Sequence, residues 1–130
     1  MEKQQVTEFV AGDVVEMPGG EPMTVLEICT KSSLLVLGGD EGDVHCVWWA
    51  NDDFQYGYLK RQILQLKRHR IPQSLVVNDI VVLASGSNEL IVSDVYEDNS
   101  EKLVCLVDPK TKKQFYDFSA HLFDKVDKIK

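Results

Sequence analysis

The order of apolar runs and turn residues that starts at residue 12 starts again at residue 78, and this repetition constrains the fold more than any other feature of the chain. Gly12-Asp13-Val14-Val15-Glu16 is echoed by Asn78-Asp79-Ile80-Val81-Val82, and Pro22-Met23-Thr24-Val25 by Glu89-Leu90-Ile91-Val92. Leu103 to Val107 stands where His45 to Trp49 stood, and Phe115 to Phe118 with Leu122-Phe123 where Phe54 to Leu59 with Ile63-Leu64 stood. The offset runs at 66, then 67, then about 58, which places a loss of about nine residues around positions 29–43 of the first copy. A unit of about 55 residues is written twice.

The unit reads as strands. Runs rich in β-branched residues are separated by Pro18-Gly19-Gly20, Gly38-Gly39 and Asn51-Asp52-Asp53, all turn-forming. Strand alternation puts Met23, Val25 and Glu27 on one face, with Thr24, Leu26 and Ile28 on the other. It separates Val44, Cys46 and Trp48 from His45, Val47 and Trp49, and keeps Phe54, Tyr56 and Tyr58 together. Lys60 to Leu66 has room for one helical turn before a last short strand. Five short strands in so few residues suit a small SH3-like barrel, in which closure hides the sheet edges. The expected fold is all-β: two tandem small SH3-like barrels, each of about five short antiparallel strands, over residues 1–66 and 78–130. Residues 67–77 form a basic linker between them. On this alignment Ile80 and Val92 match Val14 and Val25, Leu106 matches Trp48 and Phe123 replaces Leu64; Trp48 is the core residue of its strand, or else Trp49 with His45 and Val47 forms the inward set.

Ala11-Gly12-Asp13-Val14-Val15, Gly19-Gly20-Glu21-Pro22-Met23-Thr24-Val25 and Cys46-Val47-Trp48-Trp49 resemble the YodC-like family of small uncharacterised bacterial proteins. The resemblance covers about residues 10–66, and the chain departs from the family pattern in the Glu21 insertion, the long 29–43 loop and the degenerate second copy. It implies a compact SH3-like β-fold and brings no established activity with it.

Charge narrows the function. The chain carries 14 Lys+Arg against 21 Asp+Glu, net −7. The one dense basic cluster is Lys67-Arg68-His69-Arg70, which reads as a solvated linker able at most to make a local anion contact. A nucleic-acid partner is therefore disfavoured, since each phosphate contact needs a cation. No apolar run approaches membrane-spanning length, and the N-terminus lacks a secretory pattern. Three Cys without a CxxC pair point to a reduced, cytoplasmic protein.

No constellation of catalytic residues assembles. His45, His69 and His121 lie in separate segments, no nucleophile motif is present, and Gly38 to Asp43 has a calcium loop's composition without its spacing. The expectation is no enzyme, no metal and no cofactor. What remains is aromatic enrichment: Trp48, Trp49, Phe54, Tyr56 and Tyr58 within eleven residues, more than one small barrel can bury. These residues either fill the seam between the barrels or present a partner site. The candidate partner-binding set is Trp49, Tyr56 and Tyr58, the neighbouring carboxylates Asp52 and Asp53, and Leu35 and Leu37 of the apolar run peculiar to the first copy, which forms either an extra strand or a contact surface. The expected function is a non-enzymatic protein-binding module whose partner carries a basic or apolar patch. A small acidic, phage-borne type of inhibitor that mimics nucleic acid and blocks a nucleic-acid-handling or defence enzyme is the alternative, and a weak single-strand binder using the basic hinge is the third reading.

Overall fold

The computed structural model describes residues 9–28, 42–71 and 74–126. Its strands are β1 Val14–Glu16, β2 Met23–Ile28, β3 Val44–Ala50, β4 Asp53–Leu59 and β5 Gln65–Arg68, then β6 Ile80–Leu83, β7 Leu90–Asp98, β8 Glu101–Val107, β9 Gln114–Ser119 and β10 Phe123–Lys125. Single 3-10 turns, Arg61–Ile63 and Ala120–Leu122, precede β5 and β10. The strands form two five-stranded antiparallel sheets, ordered β4-β3-β2-β1-β5 and β10-β6-β7-β8-β9. In both, the last strand pairs with the first and the rest follow in sequence. The architecture is all-β.

The halves also repeat at the level of single hydrogen bonds. The carboxylate of Asp13 accepts from Val10 N at 3.0 Å, and that of Asp79 from Val76 N at 2.9 Å. Val25 N donates to Asp13 O and Val92 N to Asp79 O, each at 2.9 Å. The residue before each aspartate, Gly12 at φ +97° or Asn78 at φ +80°, takes the left-handed conformation that only such residues adopt cheaply. A register shift falls between Val25 and Glu27 in one half, and between Val92 and Asp94 in the other.

Three expectations need correction. The bulge at Leu26 adds a residue to β2, so Ile28 returns to the face of Met23 and Val25 instead of staying with Thr24 and Leu26, and Glu27 leaves that face to stand beside His45. The alignment of the third strands also shifts: Val25 pairs with Cys46 and Val92 with Leu106, so Leu106 corresponds to Cys46, while the place of Trp48 is taken by Asp108. Fifteen residues separate Ile28 from Val44 and eight separate Val95 from Val104, so the loop difference is seven residues. A further two are lost in the next hairpin, where eight residues lie between the paired Val47 and Tyr56, but six between Val107 and Gln114. Third, the basic segment is not a solvated linker. Lys67 and Arg68 belong to β5, Lys67 pairs with Glu16 at 3.5 Å and Arg68 pairs with Asp124, while Arg70 N donates to Asp13 Oδ1 at 2.9 Å.

The longer β3–β4 hairpin joins the halves. Asn51 and Asp52, at φ 55° and 59°, form its two-residue turn, whose twist matches the paired strands. One face of the hairpin serves the first half's own core, where Val44 and Cys46 are buried with Val15, Val25 and Leu64. Trp48 lies half-buried on this face with its ring over Gly57, where a Cβ would come within 3.1 Å of it. The opposite face carries Val47 and Phe54 into the core of the second half, among Leu83, Leu106 and Phe123. Phe54 sits 4.6 Å from Phe118 and 4.8 Å from Phe115 between ring centroids. The Phe115 contact is edge-on and the Phe118 contact tilted, and aromatic pairs in such geometries add to plain area burial. Buried Thr24 completes the seam: its hydroxyl donates to Ser85 Oγ at 2.7 Å and accepts from Ser85 N at 3.0 Å.

Candidate functional site

The register of the β3–β4 hairpin sets a row of side chains on the face that meets the second half. Trp49 stands opposite Phe54, Val47 opposite Tyr56, and His45 opposite Tyr58. The second half covers only the end nearest the turn, where Phe54 is 6% and Val47 0% exposed. At the far end Tyr56 stands 50% exposed. Beside it the His45 ring stacks on Tyr58 with centroids 4.4 Å apart and planes 14° from parallel, and lies 6.0 Å from Tyr56. The result is an aromatic strip on two hydrogen-bonded strands, with rings held in place by the ladder beneath them.

Carboxylates mark both ends of the strip. Glu27, paired in register with His45, places Oε2 3.8 Å from Nδ1. Burial lowers the His45 pKa from its ordinary value, and the Glu27 charge and hydrogen bond only partly offset this, so the ring is neutral at pH 7. Burial and the nearby Asp53 charge both raise the Tyr56 pKa, which keeps its hydroxyl protonated. Flat π-faces beside the Glu27 carboxylate suit an arginine or lysine side chain, which can stack and ion-pair at once.

The structure divides the expected partner-binding set. Tyr56 and Tyr58 lie on the strip. Trp49 does not extend it outward: it packs edge-on against Phe54 at 4.9 Å and toward Phe115 at 6.0 Å, in the seam. Asp52 and Asp53 are engaged by the second half, with Asn88 Nδ2 donating to Asp52 Oδ1 at 3.0 Å, and Lys113 Nζ 3.3 Å from both Asp52 O and Asp53 Oδ2. Leu35 and Leu37 lie outside the described residues. His45 and Glu27 were missed. The turn at Asn51-Asp52 could have found His45, because a two-residue loop pairing 50 with 53 also pairs 45 with 58.

Among the described residues no three His, Cys, Asp or Glu side chains gather as metal ligands. Cys46 is fully buried, and burial pushes its thiol pKa up to about 12, far from a reactive thiolate. No described helix is long and apolar enough to cross a membrane. Compared with protein-family models, curated proteins and solved structures, the chain matches none.

Proposed function

We propose that this chain is a non-enzymatic, cytoplasmic protein-binding module built as two tandem SH3-like barrels, and that it takes a basic or apolar segment of its partner on the strip of His45, Tyr56 and Tyr58. The observation that carries the reading is Tyr56, a large ring left 50% exposed on a regular strand beside a stacked pair. Half-buried aromatics on rigid elements are the side chains that anchor interfaces, because they offer area at little cost in conformational entropy. The shared strand order of the sheets, the 3-10 turn before each last strand, and the resemblance of residues 10–66 to the YodC-like family support the barrel reading.

The two other readings draw less support. A nucleic-acid mimic needs an open array of carboxylates, whereas Asp52 and Asp53 are bonded to Asn88 and Lys113. A strand binder needs a row of free cations in the hinge, whereas two of its three, Lys67 and Arg68, are neutralised by Glu16 and Asp124.

The test is affinity capture from lysate at low salt with wild type, Tyr56→Ala and Tyr58→Ala. A partner held by wild type and lost by Tyr56→Ala, with unchanged melting of the variant, is the expected result. Recovery of nothing by wild type, or equal recovery by all three proteins, refutes the proposal.

A further inference from the structure

A cleft of about 520 Å³ opens between the two halves on the side of the linker, and its lining includes Arg70, Ser74, Ser100, Glu101, Lys102 and His121. We propose that this cleft binds the phosphate group of a small phosphorylated molecule, with Arg70 and Lys102 as its principal contacts and the hydroxyls of Ser74 and Ser100 at its rim.

Charge is the first argument. In a chain of net charge −7, this cleft gathers two permanent cations and an imidazole against a single carboxylate. Five other cations, among them Lys67 and Arg68 of the hinge, are ion-paired. Arg70 and Lys102 make no ion pair among the described residues. Burial lowers the His121 pKa, and the charge of Arg70 lowers it further against an opposing pull from Glu101, so the Arg70 cation and the imidazole crowd one another in the cleft. A phosphate dianion relieves that crowding, and the planar guanidinium fits it with two parallel hydrogen bonds.

Rigidity is the second. The Arg70 backbone is tied to Asp13, a fully buried carboxylate, and one guanidinium nitrogen donates to Ala11 O at 3.3 Å, which leaves its other donors for a ligand. Gly12 abuts the carbonyl of His121 so closely that a Cβ would lie 2.3 Å from that oxygen, so the two walls meet without play. Ser100 and Lys102 are set by a two-residue turn, Asn99-Ser100, closed by the pair Asp98 and Glu101. A site pre-set on both walls loses little entropy on binding.

Size and surroundings select the ligand. About 520 Å³ suits a small molecule, and such sites commonly span about 300–1,000 Å³. A polyanionic strand running beyond the cleft would meet Glu101 and the acidic surface of the chain, so a nucleic acid is disfavoured.

The experiment is a titration of ¹⁵N-labelled protein, at fixed ionic strength, with ribose 5-phosphate, inorganic phosphate and a ten-residue oligothymidylate. Ribose 5-phosphate is expected to give saturable shifts at Arg70, Ser74, Ser100, Lys102 and His121, and to raise the His121 pKa. The titration is read at pH 7.5, where the phosphate is a dianion and Arg70 and Glu101 are the charged groups that act on the His121 ring. Arg70→Gln should weaken it about tenfold or more, since a charge-assisted contact is lost. Arg70 holds Asp13 through its backbone, so this variant keeps that bond. Should it nevertheless fail to fold, Lys102→Gln on the exposed strand carries the same expectation. Equal affinity for inorganic phosphate supports the site and assigns it to the free ion. Tighter binding of the oligothymidylate, or shifts that neither saturate nor centre on these five residues, overturns the proposal.

Discussion

Replacing Phe54 by alanine measures how far the two halves depend on one another. The ring is carried by a strand of the first sheet, is 6% exposed, and contacts Phe115, Phe118 and Phe123 of the second half at centroid distances of 4.8, 4.6 and 6.2 Å. Truncating a buried phenylalanine costs about 3–5 kcal/mol, as transfer of the lost atoms plus the cavity left behind. With Trp49 the ring has four aromatic neighbours, which leave little room for collapse and favour the upper part of that range. Unfolding entropy near 60 °C of about 2.1 cal/mol/K per residue gives about 0.27 kcal/mol/K for 130 residues, so melting should fall by about 11–18 °C. Scanning calorimetry of wild type and Phe54→Ala should show one transition in each, displaced as a whole. Two resolved transitions with one unmoved, or a displacement below about 4 °C, would refute the shared core. A double-mutant cycle with Phe115→Ala adds a local check: direct contact predicts coupling above about 0.5 kcal/mol, and strict additivity denies it.

Further predictions concern the neighbouring structure. Gly57→Ala places a methyl 3.1 and 3.3 Å from two Trp48 ring carbons, so it should destabilise by about 1–3 kcal/mol and alter the tryptophan emission; an unchanged spectrum and melt would mean the ring does not lie there. His45 and His121 both have lowered pKa values in the folded state, so the unfolded chain binds more protons as pH falls below about 6.5 and stability declines there. Urea midpoints at pH 7.5 and 5.5 should therefore differ less in His45→Gln than in wild type, and equal differences would refute the His45 contribution. Cys46, fully buried with a thiol pKa of about 12, should escape alkylation by iodoacetamide at pH 8 and react only after denaturation; peptide mapping that finds it modified in the native protein would contradict the packing.

Local signals carried much of this architecture, because turn residues and alternation act over a few positions. Gly12-Asp13 and Asn78-Asp79 announce the same bonded turn, and Asn51-Asp52 the hairpin. Alternation cannot register a bulge, so Ile28 falls on the unexpected face. Nor can it say that near its turn the β3–β4 hairpin is packed on both faces, one by the first half's core and one by the second half, so that Trp48 and Trp49 are each half-buried. The basic hinge was illegible for a different reason: Asp13 and Asp124, which hold Arg70 and Arg68, lie 57 and 56 positions away in sequence. For the recognition strip, the tyrosines were readable as exposed aromatics, whereas His45 and Glu27 join them only through the register of three strands.

The shared core also sets a schedule for synthesis. Phe54 and its strand leave the ribosome before their partners in the second half, since Phe115 and Phe123 lie 61 and 69 positions further along. At about 5–20 residues per second, the apolar face of Val47, Trp49 and Phe54 waits roughly 3–14 s for its cover. During that interval the nascent first sheet presents an unshielded surface to holdases and to sister chains on the same message. Any pause in translation between residues 54 and 115 prolongs the exposure, and arrival of the second half ends it.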